Sequence, residues 1–524
     1  MTSAEEDRRQ IVRAATVVMT AFILSRLLGL VRQRVIGLYF GTSADLDAYL
    51  AAFRIPDLIF QLMAGGALGS AFIPTFTGYL ARGDRPGAWR LASAVINLLL
   101  VTLTGSALLA GLTAPWLVAT LIAPGFPPAQ QQLTVALMRV MLLSTIVFGV
   151  SGVVMGALNA YQHFLLPAVA PMLYNLGIIG GAVLLSPTQG VMGLAVGVVV
   201  GAALHLLVQV PSLLRFQARY TPLLTLRDPG VQEVLRLMAP RVLGLAVVQV
   251  NFLVNTNLAS RLGEGPLSAL NYAWLLMLLP QGVFAQAVGT AAFPTFAEQV
   301  ARGEVRAMRS ALAATLRAVF ALSIPAAVGL ALLREPLIGL LFRGGAFQEA
   351  SVQMVAWPLL FYALGLVGHA GLEIVTRAFY AMHDTKTPVL VGGLAMGLNL
   401  LFSLAFLRLF AALGWMPHGG LALANSLATL LETGGLLLIL RARLQGLEGR
   451  RLLAAVVQSG MAAGAMAVAL VGLRIGWQRA GVLIHSLGGM ALGATIYGSV
   501  MLALGNEEVQ AIGRRLGGRW ELRQ

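Results

Sequence analysis

Apolar residues run along this chain in stretches of twenty or more, interrupted by short polar links rich in arginine. A helix of about 20 mostly apolar residues matches the hydrocarbon core of a bilayer. The pattern predicts fourteen such helices, near 14–38, 46–68, 90–112, 133–157, 165–186, 189–210, 235–260, 267–290, 308–331, 351–376, 387–408, 419–440, 453–473 and 483–504. The fold class this implies is all-α, a polytopic membrane protein.

Composition supports that reading. Of 524 residues, 58% are hydrophobic and 11% charged, with a mean hydropathy of +0.82. Soluble domains carry about 25% charged residues, so disordered and soluble multidomain classes are excluded. The polar start, Met1 to Arg13, leads into an apolar segment without a small-residue cleavage site, which reads as a first membrane helix rather than a removed signal. With no cysteine, disulfides, thiolate metal sites and a cysteine nucleophile are ruled out.

The net charge of +15 does not point to nucleic acid, because the basic residues sit between apolar segments rather than in one patch. Instead they orient the chain. With the N-terminus cytoplasmic, the inside links hold fifteen basic residues, including Arg82, Arg215, Arg302, Lys386 and Arg451, against six outside. Cytoplasmic loops carry such an excess. Both polar tails, with Arg8, Arg9 and Arg13 at one end and Arg514 to Arg523 at the other, then fall inside.

An internal repeat is visible. Residues 69–84 read GSAFIPTFTGYLARGD and residues 289–304 read GTAAFPTFAEQVARGE, 220 positions apart. The copies follow the second and eighth predicted helices, so six helices separate them and the halves are parallel. This predicts an N-lobe at 1–230 (helices 1–6) and a C-lobe at 231–445 (helices 7–12). Residues 446–524 hold helices 13 and 14 and a basic cytoplasmic tail. Two six-helix lobes suit alternating access.

The charges inside apolar segments carry the functional clue. Arg26, Arg32 and Arg34 lie within the first one. An arginine at the bilayer centre costs about 2.5–3.5 kcal/mol even on permissive scales, so such residues face a bundle interior or a watery cavity. At 100° per residue Arg34 lies about 80° from Arg26 and Arg32 about 120° the other way, so one narrow stripe does not hold all three. The second segment supplies Asp47, Arg54, Pro56 and Asp57, where Pro56 removes a helix hydrogen bond and predicts a kink. Asp47 and Arg54 either line a pathway or neutralise each other. In the seventh segment Arg241 is the repeat counterpart of Arg26. The amides Gln249, Asn251, Asn255 and Asn257 beside it read as helix–helix glue. Glu373 and Arg377 are spaced for a local ion pair. Gly193, Gly197 and Gly201 read as close helix packing. Asp47, Asp57, Glu373 and Glu432 are the few acids inside segments, so interior charge is mainly positive and selects an anion. Arginine forks match phosphate oxygens.

No phosphate loop, zinc spacing or Ser-x-x-Lys pair occurs, so the chain reads as a transporter rather than an enzyme, with no cofactor and no metal. Without a nucleotide-binding domain, the drive is an ion gradient or the membrane potential. An anion moving outward gains about 2.3 kcal/mol per charge per 100 mV when the interior is negative.

Several motifs resemble a known family: Ser25-Arg-Leu-Leu-Gly-Leu-Val-Arg32, Asp47-Ala48, Arg54-Ile-Pro56, Ala71-Phe-Ile-Pro74, Ala123-Pro-Gly-Phe126 and Asp384-Thr-Lys-Thr-Pro388. Together they are similar to the MurJ/MviN lipid II flippases of the multidrug/oligosaccharidyl-lipid/polysaccharide exporter superfamily, over at least residues 20–440. The resemblance implies fourteen helices in two lobes around a cationic cavity in the bacterial cytoplasmic membrane. It implies an anionic lipid-linked substrate, with membrane lipids as surroundings, a monomer, and work beside a cell-wall synthesis complex. It places substrate contacts at Arg26 and Arg32, with Asp47 and Arg54 near them and Arg241 as a further candidate. The chain departs from the family pattern in the eighth helix, where Ala273-Trp-Leu-Leu-Met-Leu278 replaces expected charges. It departs again at Phe60, at Gly65 and at Glu373. Export of another lipid-linked glycan or amphiphile, and a non-transporting scaffold role in cell-wall assembly, stay open.

Overall fold

The computed structural model describes residues 3–63, 66–476 and 481–506. Among these the secondary structure is helical, with one isolated bridge between Gly344 and Phe347 and no strand. Twelve stretches are long and apolar enough to cross a membrane. They are Ala44–Ala81, Arg85–Leu112, Pro128–Ala160, Leu165–Gln189, Met192–Arg215, Pro266–Ala301, Val305–Phe342, Glu349–Ala381, Lys386–Ala412, His418–Arg443, Gly449–Leu473 and Ile484–Ala503. Two further helices, Ser3–Phe40 and Pro229–Ser260, are 38 and 32 residues long, and parts of both lie outside the residues whose side chains are described. Among the described residues, twelve of the fourteen expected spans are matched by helices of sufficient length and hydropathy.

Contacts divide the chain into two compact units, one of Met1–Ser268 with Gly344–Phe347, the other of Ala269–Arg343 with Gln348–Gln524. Helix Pro229–Ser260 groups with the first unit.

Within the first unit, the second span breaks where Pro56 requires it. A proline nitrogen cannot donate to the carbonyl four residues back, which here belongs to Ala52. The helix Ala44–Ala52 ends there, Phe53 forms the turn, and Arg54–Met63 resumes. Thr145 Oγ1 donates to the Pro56 carbonyl at 3.2 Å and ties the bend to helix Pro128–Ala160. Helices Leu165–Gly180 and Met192–Leu207 meet through glycines. A Cβ on Gly177 would lie 2.3 Å from the Gly201 Cα, and one on Gly181 2.4 Å from the Gly193 carbonyl oxygen. This is the close packing that the glycine spacing predicts.

In the second unit, Phe296, Leu316, Phe379 and Leu440 form a fully buried centre. Helices Gly449–Gly476 and Gly489–Ala503 dock on Val305–Phe342 through Leu333, Met466, Leu470 and Met501. The Tyr497 hydroxyl donates to the Ala321 carbonyl at 2.6 Å.

The repeat is also legible in local geometry. Gly83 (φ +76) and Gly303 (φ +71) make the same left-handed turn between helices. Asp84 N donates to Tyr79 O at 3.0 Å, and Glu304 N to Gln299 O at 2.9 Å.

Candidate functional site

All five candidate residues lie in the first unit, and the four whose side chains are described stand on three successive helices. Arg26 and Arg32 stand on Ser3–Phe40, six residues apart, or about 9 Å of helix rise. Arg26 and Arg34 are exposed and Arg32 is half-buried. The helix is positioned by Leu165–Gly180, whose Asn175 Nδ2 donates to the Ser25 carbonyl at 3.4 Å. At Gly29 the nearest atom a Cβ would meet is that same amide nitrogen, 4.0 Å away.

Arg32 points inward. It interacts electrostatically with the hydroxyls of Tyr49 and Tyr174. Its Nε is buried and has no hydrogen-bond partner among the described residues. A buried donor left without an acceptor costs about 1–3 kcal/mol, more when charged. An anion that supplies an oxygen would remove that cost.

Asp47 does something different. It is 1% exposed. Its Oδ2 accepts from Gly265 N at 2.8 Å and its Oδ1 from Ser268 N at 2.7 Å. These amides belong to the first turn of helix Pro266–Gln281 and its entry, which have no helical acceptor of their own. Ser268 Oγ closes the turn on Gly265 O at 2.9 Å. Both carboxylate oxygens are thus occupied by a helix N-terminus, where negative charge is favoured. Asp47 and Arg54 do not pair with each other; the hydrogen-bond partners of Asp47 are the amides of this turn.

Arg54 opens helix Arg54–Met63 and is half-buried. Its Nε donates to Thr256 Oγ1 at 2.8 Å, and its guanidinium carbon lies 5.5 Å from the centre of the Phe252 ring. Thr256 and Phe252 belong to Pro229–Ser260, so this arginine is held by the seventh predicted helix. One turn along, Gln249 Nε2 donates to Asp57 Oδ2 at 3.3 Å. Asn255 donates to Asn251 Oδ1 at 2.7 Å, and Asn257 to the Leu121 carbonyl at 2.8 Å. Gln249 and Asn257 act as glue between helices, as their placement suggests, whereas Asn251 and Asn255 bond each other within one helix. Arg241 lies on the same helix, but its side chain is outside the described residues. Gly65 and the C-terminal tail are outside them as well.

Sequence reasoning did not find Thr256, Phe252 or the Gly265–Ser268 turn. The first two carry no charge to attract notice. The turn had one signal, Pro266 at its first position, where helices favour proline.

In the second unit the departures of the eighth helix are packed rather than polar. Ala273 and Met277 are fully buried. Trp274 meets Tyr362 and His369 edge-on, with ring centres 5.3 Å apart in each case. Glu373 and Arg377 form the predicted i,i+4 ion pair at 2.6 Å.

These motifs coincide with a known family along nearly the whole chain. The family model "Lipid II flippase MurJ" matches residues 36–491. The chain belongs to the MurJ lipid II flippase family. Among its relatives, a lipid II flippase MurJ of Burkholderia cenocepacia is 34% identical over 443 residues, covering 83% of this chain and 84% of that protein. A probable lipid II flippase MurJ of Vibrio cholerae is 31% identical over 95% of this chain and 97% of that protein. The fold is shared with a solved lipid II flippase MurJ in an inward closed conformation, at TM-score 0.77 and 24% identity over 93% of this chain and 98% of that one. It is also shared with an inward-facing multidrug resistance MATE transporter of the MOP superfamily, at TM-score 0.69 and 16% identity, over 83% and 99% respectively.

Proposed function

We propose that this protein flips lipid II, a polyprenyl-diphosphate-linked peptidoglycan precursor, from the inner to the outer leaflet of the bacterial cytoplasmic membrane. Family membership supports the activity and the lipid-linked substrate. The observation that carries the site assignment is the buried, unsatisfied Nε of Arg32 on a helix that also presents Arg26.

On this reading Arg26 and Arg32 bind the diphosphate by charge-assisted hydrogen bonds, worth about twice neutral ones. Arg32 is the deeper contact and Arg26 the more accessible one. Arg54, held by Thr256 and Phe252, contributes positive charge from a second helix, and Arg241 adds to it from the seventh. Asp47 serves the site by anchoring the turn at Gly265–Ser268. Both termini face the cytoplasm, following the basic residues. One chain carries both repeats, so a monomer suffices, and its product is handed to the cell-wall synthesis machinery outside. Export of a diphosphate's negative charge is driven by the interior-negative potential.

The test is complementation in bacteria depleted of their own lipid II flippase. Growth and outer-leaflet lipid II are expected with this chain as the only flippase. Failure of a well-expressed, membrane-inserted protein would overturn the reading.

A further inference from the structure

Glu432 stands near the middle of helix His418–Arg443, 14 residues from its start and 11 from its end. At 1.5 Å per residue the nearer end is about 16 Å away, beyond the reach of a glutamate side chain. It is half-buried. Its Oε1 lies 3.1 Å from where a Cβ on Gly392 would be, so the carboxyl rests in the seam with helix Lys386–Ala412 at a notch made by a glycine. A Cβ on Gly435 would lie 3.8 Å from Val391 Cγ1 across the same seam.

No hydrogen bond, ion pair or other electrostatic interaction reaches Glu432 among the described residues. The charged groups on the two helices packed against it are committed elsewhere or distant. On Glu349–Ala381, Glu373 binds Arg377, whose guanidinium lies against Gly289. His369 is bonded to Asn425. On Lys386–Ala412 the nearest charge is Lys386, six residues before Gly392. On its own helix, Arg443 pairs with Asp384 and Arg441 lies in the last turn.

An ionised carboxylate held in an apolar seam without a partner is costly, and such a group neutralises instead. A proton needs only the one carboxyl. We propose that Glu432 is a reversible proton-binding site through which transport responds to a pH gradient: the seam closes around the protonated carboxyl and must open to water or a cation when the proton leaves. The coupling part rests on the flippase reading; the proton site itself does not.

The test uses the full-length protein in vesicles and dicyclohexylcarbodiimide, an apolar reagent that needs a protonated carboxyl. The acid proton goes to a carbodiimide nitrogen while the carboxylate oxygen bonds the central carbon, and the adduct rearranges to a stable N-acylurea. Wild-type protein is expected to carry the label at Glu432 at neutral pH, declining as pH rises, and Glu432→Gln to lose at least about 90% of it. No label, or equal label in Glu432→Gln, would overturn the site. In the same vesicles an imposed pH gradient should change the wild-type flipping rate at least about twofold and leave Glu432→Gln at its ungradiented rate. An equal response in both would overturn the coupling. Vesicles that label but never move lipid II would instead count against the flippase reading.

Discussion

Asp47 Oδ1 accepts the backbone amide of Ser268 at 2.7 Å, across 221 positions of sequence. With the Gly265 amide on its other oxygen, a single carboxylate ties the second span to the entry of the eighth. Asp47→Ala leaves two backbone donors unsatisfied in a buried place, at about 1–3 kcal/mol each. Thermal unfolding in detergent should show a clear loss of stability for Asp47→Ala. The exposed neighbour Asp45 should tolerate Asp45→Ala with little change. Equal effects would argue against the anchoring role.

Arg54 and Thr256 offer a sharper measurement. Their hydrogen bond joins two spans, so Arg54→Lys and Thr256→Val should not be additive. A double-mutant cycle on stability is expected to give a coupling of about 0.5–3 kcal/mol. Additive effects would mean the contact carries no energy.

The glycine seam predicts a steric failure. Alanine at Gly177 places its Cβ against the Gly201 backbone, where nothing flexible can yield. Overpacking of this kind costs about 1–3 kcal/mol or more. Gly177→Ala should reduce folded yield far more than Gly180→Ala, whose Cβ would meet nothing within 4 Å.

Asp384 predicts a pH dependence outside the membrane spans. The Thr387 hydroxyl and amide, and after them Arg443, hold its carboxyl well below the usual carboxylate range. A depressed folded value means the stabilisation is complete above the unfolded value of about 4 and is lost only as pH falls through the lower folded one. Asp384→Asn should therefore be destabilising at neutral pH, with the gap to wild type narrowing below about pH 4. Unfolding midpoints measured across that range check the sign.

Several motifs were legible because each encodes a local necessity. Pro56 foretold a kink, which falls at Phe53, and the repeat at 69–84 and 289–304 is matched by equivalent turns at Gly83 and Gly303. Ala123-Pro-Gly-Phe126 became intelligible only in three dimensions. A Cβ on Gly125 would sit 2.5 Å from the Arg261 Cα, and its amide is bonded to Ser260 Oγ at 3.2 Å. The charges of the second span were legible as charges, but not their partners. Asp47 answers backbone amides and Arg54 answers a threonine, and neither leaves a mark in hydropathy or charge spacing.

Arg32 is the deepest of the proposed diphosphate contacts. The direct measurement is the rate at which purified lipid II crosses proteoliposomes containing wild-type protein or Arg32→Ala, with unfolding midpoints confirming an intact fold. Wild type should exceed protein-free vesicles clearly, and Arg32→Ala should fall at least about tenfold toward that baseline. A folded Arg32→Ala protein that flips lipid II at the wild-type rate would contradict the account.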